Sequence, residues 1–402
     1  MAEELVVEEV GTDTRAHVRP GSVAEAAGVL KSSVRAGQAL RFAGAGTSAD
    51  WGARTTRTDL VVDTTGLDRL LRHEIEDWTV TVQSGMPLTR LQELLAPAGQ
   101  WLPYDPPAAS AGATLGGLLA TADAGPRRLA FGTLSDLVIG ATFVLADGTV
   151  ARSGGQVIKN VAGYDLAKLF AGSLGAFGLV AELTLRLHPL PTSTATLVLA
   201  VDDAGQALAA GRAVMRSPLE PAAVEWDGER LLIRFHGTAD GTDARLRLAA
   251  GLPELAAAHV LGDGDEEAAW ERQARSIRGS EGDTVVRATA HPAQLPELDT
   301  ALRNFVDRAG VEATLISSVA IGVHTVRLRG GDAEGHAACL AAWRDAVHAR
   351  GGTVTLRRRR EGVEPQAGAW GPAPATTPIL HALKRQFDPD GRCAPGRFAP
   401  WF

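Results

Sequence analysis

Two glycine-rich segments carry the spacings in this sequence that can do chemistry. The first, Gly44-Ala45-Gly46-Thr47-Ser48-Ala49, follows an apolar run ending at Phe42 and matches the G-x-G-x-x-A dinucleotide fingerprint, with the acid Asp63 closing the next apolar run. A nicotinamide site needs a following helix with an apolar face, but Ala49 to Thr58 offers Gly52, three threonines and no such face. The segment better suits a tight anion-binding loop, where small residues let consecutive backbone N–H groups approach a pyrophosphate. Taken alone it is equally a plain strand-ending turn. The second segment, Ala111 to Gly125, adds weight to the anion reading. Two small-residue loops distant in sequence can clamp both faces of a diphosphate, and Thr114 and Thr121 bring hydroxyls that can donate to its oxygens.

Other residues carry weaker signals. Lys159, Asn160 and Tyr164 can place a cation and a phenol beside a redox group, or simply form a helix entry. Arg127-Arg128 can grip a carboxylate bidentately, or form a solvated turn. The run Arg357 to Arg360 is most simply a solvated face or one that meets an acidic partner. None of the ten histidines falls in HxH or HExxH spacing, and His324, His336 and His348 sit on separate predicted elements, so no metal site is expected. Cys339 is expected to be inert core, and Cys393 is equally unremarkable.

The elements that must position the two loops alternate between strand and helix. Leu40 to Phe42, Leu60 to Asp63 and Trp78 to Gln83 have strand character, while Asp68 to Glu76 and Pro87 to Leu95 show helical spacing. The stretch from Trp101 to Gly125 has no sustained period and is too apolar for disorder, which suits a segment wrapped around something. Asp147-Gly148 predicts a hairpin between Leu137–Leu145 and Thr149–Arg152, and Leu179–Leu187 a further strand. After His188-Pro189-Leu190-Pro191 comes an approximate duplication. Its first unit runs through Thr196–Val201, helix Ala204–Arg216, Ala222–Trp226, Arg230–His236 and helix Asp240–Leu252. The second runs through Thr284–Ala290, helix Leu295–Ala309, Ala313–Val319, Val323–Arg329, helix Ala333–Arg350 and Thr353–Arg358. Two such units predict one open antiparallel sheet with helices on one face, joined by a short acidic linker at Gly262–Glu267. The fold class is α+β.

The 402 residues are 45% apolar and 22% charged, with a net charge of −7, which suits a folded protein with several cores and disfavours a nucleic-acid partner. Two cysteines exclude a disulfide framework and any iron–sulfur cluster held by this chain alone. No signal peptide and no apolar stretch of about 20 residues is evident, so a cytoplasmic protein is expected.

Taken in order, Gly44 to Ser48, Ala113-Thr114-Leu115-Gly116-Gly117, Ala146-Asp147-Gly148, Lys159 to Leu166, Gly172 to Gly178, Phe387-Asp388-Pro389 and Pro395-Gly396-Arg397 resemble the vanillyl-alcohol oxidase type of FAD-dependent oxidoreductase. Within that superfamily the sequence most resembles the FAD-binding (E) subunit family of bacterial glycolate oxidase. The resemblance implies a two-subdomain PCMH-type FAD-binding domain at 1–190, an α+β cap with a duplicated ferredoxin-like unit at 191–380, and a tail at 381–402 returning to the FAD domain. It implies FAD contacts from Gly44, Ala45, Gly46, Thr47, Ser48, Pro107, Thr114, Gly116, Gly117, Thr121, Gly125, Ser135, Val138, Gly178 and Val180. Neither loop holds the histidine or cysteine that anchors FAD covalently in some members, so noncovalent FAD is expected, with no catalytic residue assigned. The implied activity is oxidation of glycolate or another small 2-hydroxy acid. The implied partners are a D-like flavoprotein subunit and an F-like iron–sulfur subunit, with any inner-membrane attachment made through them. A self-contained D-2-hydroxy acid dehydrogenase and an assembly subunit with an idle FAD site are the alternatives. The family's usual asparagine before the terminal Pro-Gly is replaced by Ala394.

Overall fold

The runs Leu40–Ala43 and Leu60–Asp63 pair in parallel, Leu40 opposite Leu60, in a computed structural model that describes residues 6–10, 13–155 and 164–402. Parallel strands cannot be joined by a tight turn. The connection 44–59 therefore loops outward, with the first glycine segment at the carboxyl end of its strand. Asp13–Val18 and Val6–Val10 complete this four-stranded sheet. Helix Val23–Arg35 is capped by Ser22, whose hydroxyl accepts from the Glu25 N–H at 3.2 Å, and it buries Ala26 and Leu30 beneath the sheet.

A second, antiparallel sheet runs in the order Leu70–Glu74, Thr79–Gln83, Gly178–Arg186, Val138–Leu145, Val150–Gly154. The Asp147-Gly148 hairpin forms as expected. The helix expected at Asp68–Glu76 does not: Leu70–Glu74 is an edge strand bonded to Thr79–Gln83. An edge strand buries little on either face, so its sequence need not alternate, and pairing outweighs the helical spacing. The core under this sheet joins Leu115, Leu118 and Leu119 of helix Leu115–Thr121 to Phe143, Phe170, Leu183 and Leu185.

The duplicated units fuse into one eight-stranded, wholly antiparallel sheet. Its order is His259–Val260, Ser193–Ala200, Arg230–Gly237, Ala223–Trp226, Glu312–Ser318, Val323–Arg329, Thr284–Thr289, Thr353–Arg358. The seam pairs Glu225 with Ser318 and Trp226 with Ser317. Helices Ala204–Arg216, Leu295–Ala309 and Ala333–His348 pack on one face, where Trp226, Phe235, Leu356 and Trp343 are buried together. The acidic linker expected at Gly262–Glu267 is instead the start of a 16-residue helix, Asp263–Arg278, on the opposite face, where Ala269 and Trp270 meet Val198, Ala223 and Leu232. Acidic residues suit a helix N-terminus, and the helix is so polar elsewhere that no apolar stripe announces it.

The chain end lies against the first two sheets. Leu40 N–H donates to the Arg392 carbonyl at 2.7 Å and Ala394 N–H to the Leu40 carbonyl at 2.8 Å, which sets Cys393 beside Leu40. Ala394 is left-handed, φ 46°, a conformation asparagine adopts more readily than alanine. Lys384 Nζ, from helix Thr377–Phe387, donates to the carbonyls of Ala176 and Cys393, each at 2.8 Å, and to Asp388 Oδ2 at 2.7 Å. The Asp388 side chain is fully buried. Removing one partner of a buried ion pair strands the other charge, so Lys384→Met is expected to cost about 3–5 kcal/mol in urea denaturation. A change below about 1 kcal/mol would show that the tail contributes little to holding the fold.

Candidate functional site

The two glycine segments meet. Gly44 lies so close to Thr114 that a Cβ on residue 44 would overlap the Thr114 hydroxyl and come within 3.2 Å of its methyl. Gly116 is pressed on Ser84, donating its N–H to the Ser84 carbonyl at 2.7 Å, and a Cβ there would stand 2.7 Å from that of Ser84. These contacts shape a cleft of about 270 Å³. Gly44, Ala45, Gly46, Thr47, Ser48, Thr114, Gly116, Gly117, Thr121, Gly178 and Val180 line it, as do Arg41, Trp51 and Arg397. The Thr121 hydroxyl, however, donates to the Gly117 carbonyl at 2.8 Å, so its proton is already committed.

Four expected residues lie elsewhere. Pro107 lines an inner hollow of about 40 Å³ that shares Thr47 and Trp51 with the cleft. Gly125 is packed against the Asp105 carbonyl and borders a smaller hollow beside Arg128 and Glu225. Ser135 bonds Thr133, hydroxyl to hydroxyl at 3.0 Å, and Val138 is buried in the second core, because both belong to the short turn that starts a central strand. Lys159 and Asn160 lie outside the described residues. Tyr164 is 91% exposed, its side chain away from the cleft.

The inner hollow is closed by the eight-stranded sheet. Strand alternation turns Val286, Ala288 and Leu356 into the helix-covered core and presents Arg287 and Arg357 to the other side. The solvated face expected for Arg357–Arg360 is therefore incorrect. Arg357 lies over the Trp51 ring, 3.5 Å from its centroid, and burial holds its pKa down to about 9. Arg359, its side chain 4% exposed, bonds Glu364 and the carbonyls of Asp50 and Gly52, so it staples the glycine loop to the large sheet. Arg287 Nη1 stands 3.6 Å from Asp123 Oδ1. Burial raises the pKa of Asp123, and of its neighbour Tyr104, whose hydroxyl donates to the Asp123 carbonyl.

Arg127 is also no solvated residue. Its guanidinium lies over Trp101, 4.7 Å from the ring centroid, and its backbone N–H donates to Asp105 Oδ1 at 3.0 Å. It lines an open cleft of about 960 Å³ between the 105–127 segment and helix Asp263–Arg278, with Arg234, Glu266 and Trp270 opposite. This cleft shares Pro107 and Ile277 with the inner hollow and so adjoins it. Among the described residues, no group of three His, Cys, Asp or Glu side chains is placed to hold a metal ion. His324 is paired with Ser317 at 3.0 Å and His336 with Thr284 at 2.8 Å. No helix there is long and apolar enough to cross a membrane.

The cleft has the character a dinucleotide needs: glycine-lined backbone, a threonine hydroxyl and buried cations at one end. Residues 14–154 match the family described as FAD binding domain. Over 336 residues it is 28% identical to glycolate oxidase subunit GlcE of Escherichia coli, a match covering 82% of this chain and 84% of that one. It is 33% identical over 191 residues to glycolate oxidase subunit GlcD of Bacillus subtilis, covering 47% of this chain and 40% of that one. A mitochondrial D-lactate dehydrogenase [cytochrome] of Arabidopsis thaliana is 31% identical over 208 residues, 52% of this chain and 36% of that one. The chain thus spans less than half the length of the last two. Among solved structures, alkyldihydroxyacetonephosphate synthase shares the fold with a TM-score of 0.72 at 17% identity, covering 96% of this chain and 77% of that one.

Glu225, 2% exposed, borders the hollow shared with Arg128 and Arg287, accepting from Ser318 Oγ and, at 2.9 Å, from Gln273 Nε2. Burial pushes its pKa up to about 8 from 4.5. A raised carboxyl pKa gives stability that is whole below the unfolded value and lost as pH rises through the folded one. Wild-type stability is therefore expected to fall between about pH 4.5 and pH 8 by a contribution that Glu225→Gln abolishes, on the order of a few kcal/mol. Parallel pH–stability curves for the two proteins, from denaturant titrations, would contradict this.

Proposed function

We propose that FAD binds noncovalently along the glycine-lined cleft, its pyrophosphate held by the 44–48 loop and the start of helix Leu115–Thr121, within a subunit of a glycolate oxidase complex. The observation that carries this is the close approach of Gly44 to Thr114, which builds a cradle from two segments the family resemblance independently marks. The similarity to GlcE across 82% of the chain supports the subunit assignment. FAD when bound accepts two electrons from a 2-hydroxy acid and can release them singly to a one-electron carrier.

The chain's own residues would act as follows. Backbone N–H groups around Gly46, and the Thr114 hydroxyl, meet the diphosphate. Trp51 and Pro107 form part of the wall of the inner hollow, and Trp51 also borders the glycine-lined cleft. Arg287 and Arg357 face that hollow and offer a carboxylate charge-assisted hydrogen bonds, which suits a small anionic acid. Oxidation of glycolate to glyoxylate releases two electrons and two protons. With only two cysteines the chain has no cluster ligand set of its own, so the electrons leave to an F-like iron–sulfur subunit, alongside a D-like flavoprotein subunit. Any membrane association would come through these partners, with the chain on the cytoplasmic side.

One observation favours a second reading, in which the chain oxidises its acid alone: the wide, open cleft adjoins, at Pro107 and Ile277, the hollow that the two arginines face. Anaerobic addition of glycolate and D-lactate to the FAD-loaded chain separates the two. The flavin absorbance is expected to persist with the chain alone and to bleach in the assembled complex. Bleaching of the isolated chain would establish the autonomous dehydrogenase instead.

A further inference from the structure

The cleft that suits FAD contains a cation from the far end of the chain. Arg397 is 8% exposed and lines the cleft beside Gly44–Ala49. Its Nη1 donates to the Ala49 carbonyl at 3.1 Å and the Trp51 carbonyl at 2.8 Å. Its own carbonyl accepts from Ala53 N–H at 3.1 Å and from Trp370 Nε1 at 2.9 Å, so the residue is fixed at both ends. Among the described residues its buried Nε has no hydrogen-bond partner, and no carboxylate stands within ion-pair distance of the guanidinium. Burial, with Arg359 and Arg41 nearby, brings its pKa down to about 10. Arg359 has Glu364 as counter-ion. Glu364 and Asp50 offset the lowering at Arg397 in part from beyond ion-pair distance, and a buried guanidinium without a direct anionic partner is costly unless a ligand supplies one.

We propose that Arg397 is the counter-cation of the FAD pyrophosphate, so that the C-terminal tail completes the dinucleotide site. This rests on the FAD reading above and adds a charged contact supplied from outside the matched 14–154 segment. The Arg397 guanidinium ties the outgoing end of the glycine loop through Ala49 and Trp51, and its remaining N–H groups are left for a diphosphate oxygen. The tail's attachment and the cofactor's affinity are then linked: FAD strengthens the docking of the tail, and the docked tail strengthens FAD.

Apoprotein of the full chain, titrated with FAD, ADP and riboflavin, tests this. Wild-type chain is expected to bind all three. Arg397→Gln should weaken FAD and ADP by about ten- to hundred-fold, the loss of a charge-assisted hydrogen bond, and leave riboflavin, which has no phosphate, unchanged. Arg397→Lys keeps the cation without the planar fork and should lie between the two, and it serves as the reporter if the glutamine variant does not fold. Equal weakening of riboflavin and FAD would mean a merely structural role and overturn the proposal. FAD affinity unchanged in Arg397→Gln would also overturn it while leaving the FAD site intact. A wild-type chain that binds no FAD would defeat the underlying reading along with it.

Discussion

The contact between Gly44 and Thr114 is the constraint on which the rest of the molecule depends. Any side chain at residue 44 would collide with the threonine side chain, so the end of a parallel strand is pressed against the start of a helix 70 positions later. The parallel pairing of Leu40–Ala43 with Leu60–Asp63 obliges the chain to loop out at 44, and the bond from Leu115 N–H to the Met86 carbonyl, 3.0 Å, brings up the other wall. Joined, the two walls form a narrow trough of backbone and small side chains with the shape and donor density for a diphosphate.

The electrostatics follow from closing that trough against a second body. The eight-stranded sheet turns its apolar face to its own helices and its polar face to the cleft, so Arg287, Arg357 and Glu225 are buried without belonging to a hydrophobic core. Burial raises the carboxyl groups of Asp123 and Glu225 toward neutrality and lowers Arg357 and Arg397, and these four groups line the hollows and the cleft. A positive, water-poor lining suits an anionic cofactor and an anionic substrate equally. The same arginines also hold the parts together, as Arg359 does by bonding Gly52, Asp50 and Glu364 at once. Binding and assembly are therefore not separable functions here.

Much of this was legible in the sequence where the signal is local. Helix Leu295–Ala309 and strands Val323–Arg329 and Thr353–Arg358 end where their periodicity ends, because each has a clear apolar face. The small residues of the two loops marked the cleft for the same kind of reason, since only glycine permits such approach. What escaped depends on the partner face. Arg357 looked solvated because four adjacent arginines suit water, and only the location of Trp51 reveals otherwise. Glu225 looks like any polar residue alternating on a strand until Ser318 and Gln273 cover it. Helix Asp263–Arg278 buries Glu266 against Thr194, Thr196 and Arg234 rather than along an apolar stripe, so no periodicity announced it. Ser135 and Val138, marked by position in a family pattern, stand in a turn and beside the second core.

The most direct test is the amount of FAD retained per chain after reconstitution and removal of free flavin, for wild type and for Gly44→Val. The account predicts one FAD per wild-type chain, released on denaturation. It predicts little or none on the valine variant, with far-UV circular dichroism preserved, because the added side chain forces the two walls apart. A valine variant that retains FAD like wild type, or a wild-type chain that retains none, would contradict it.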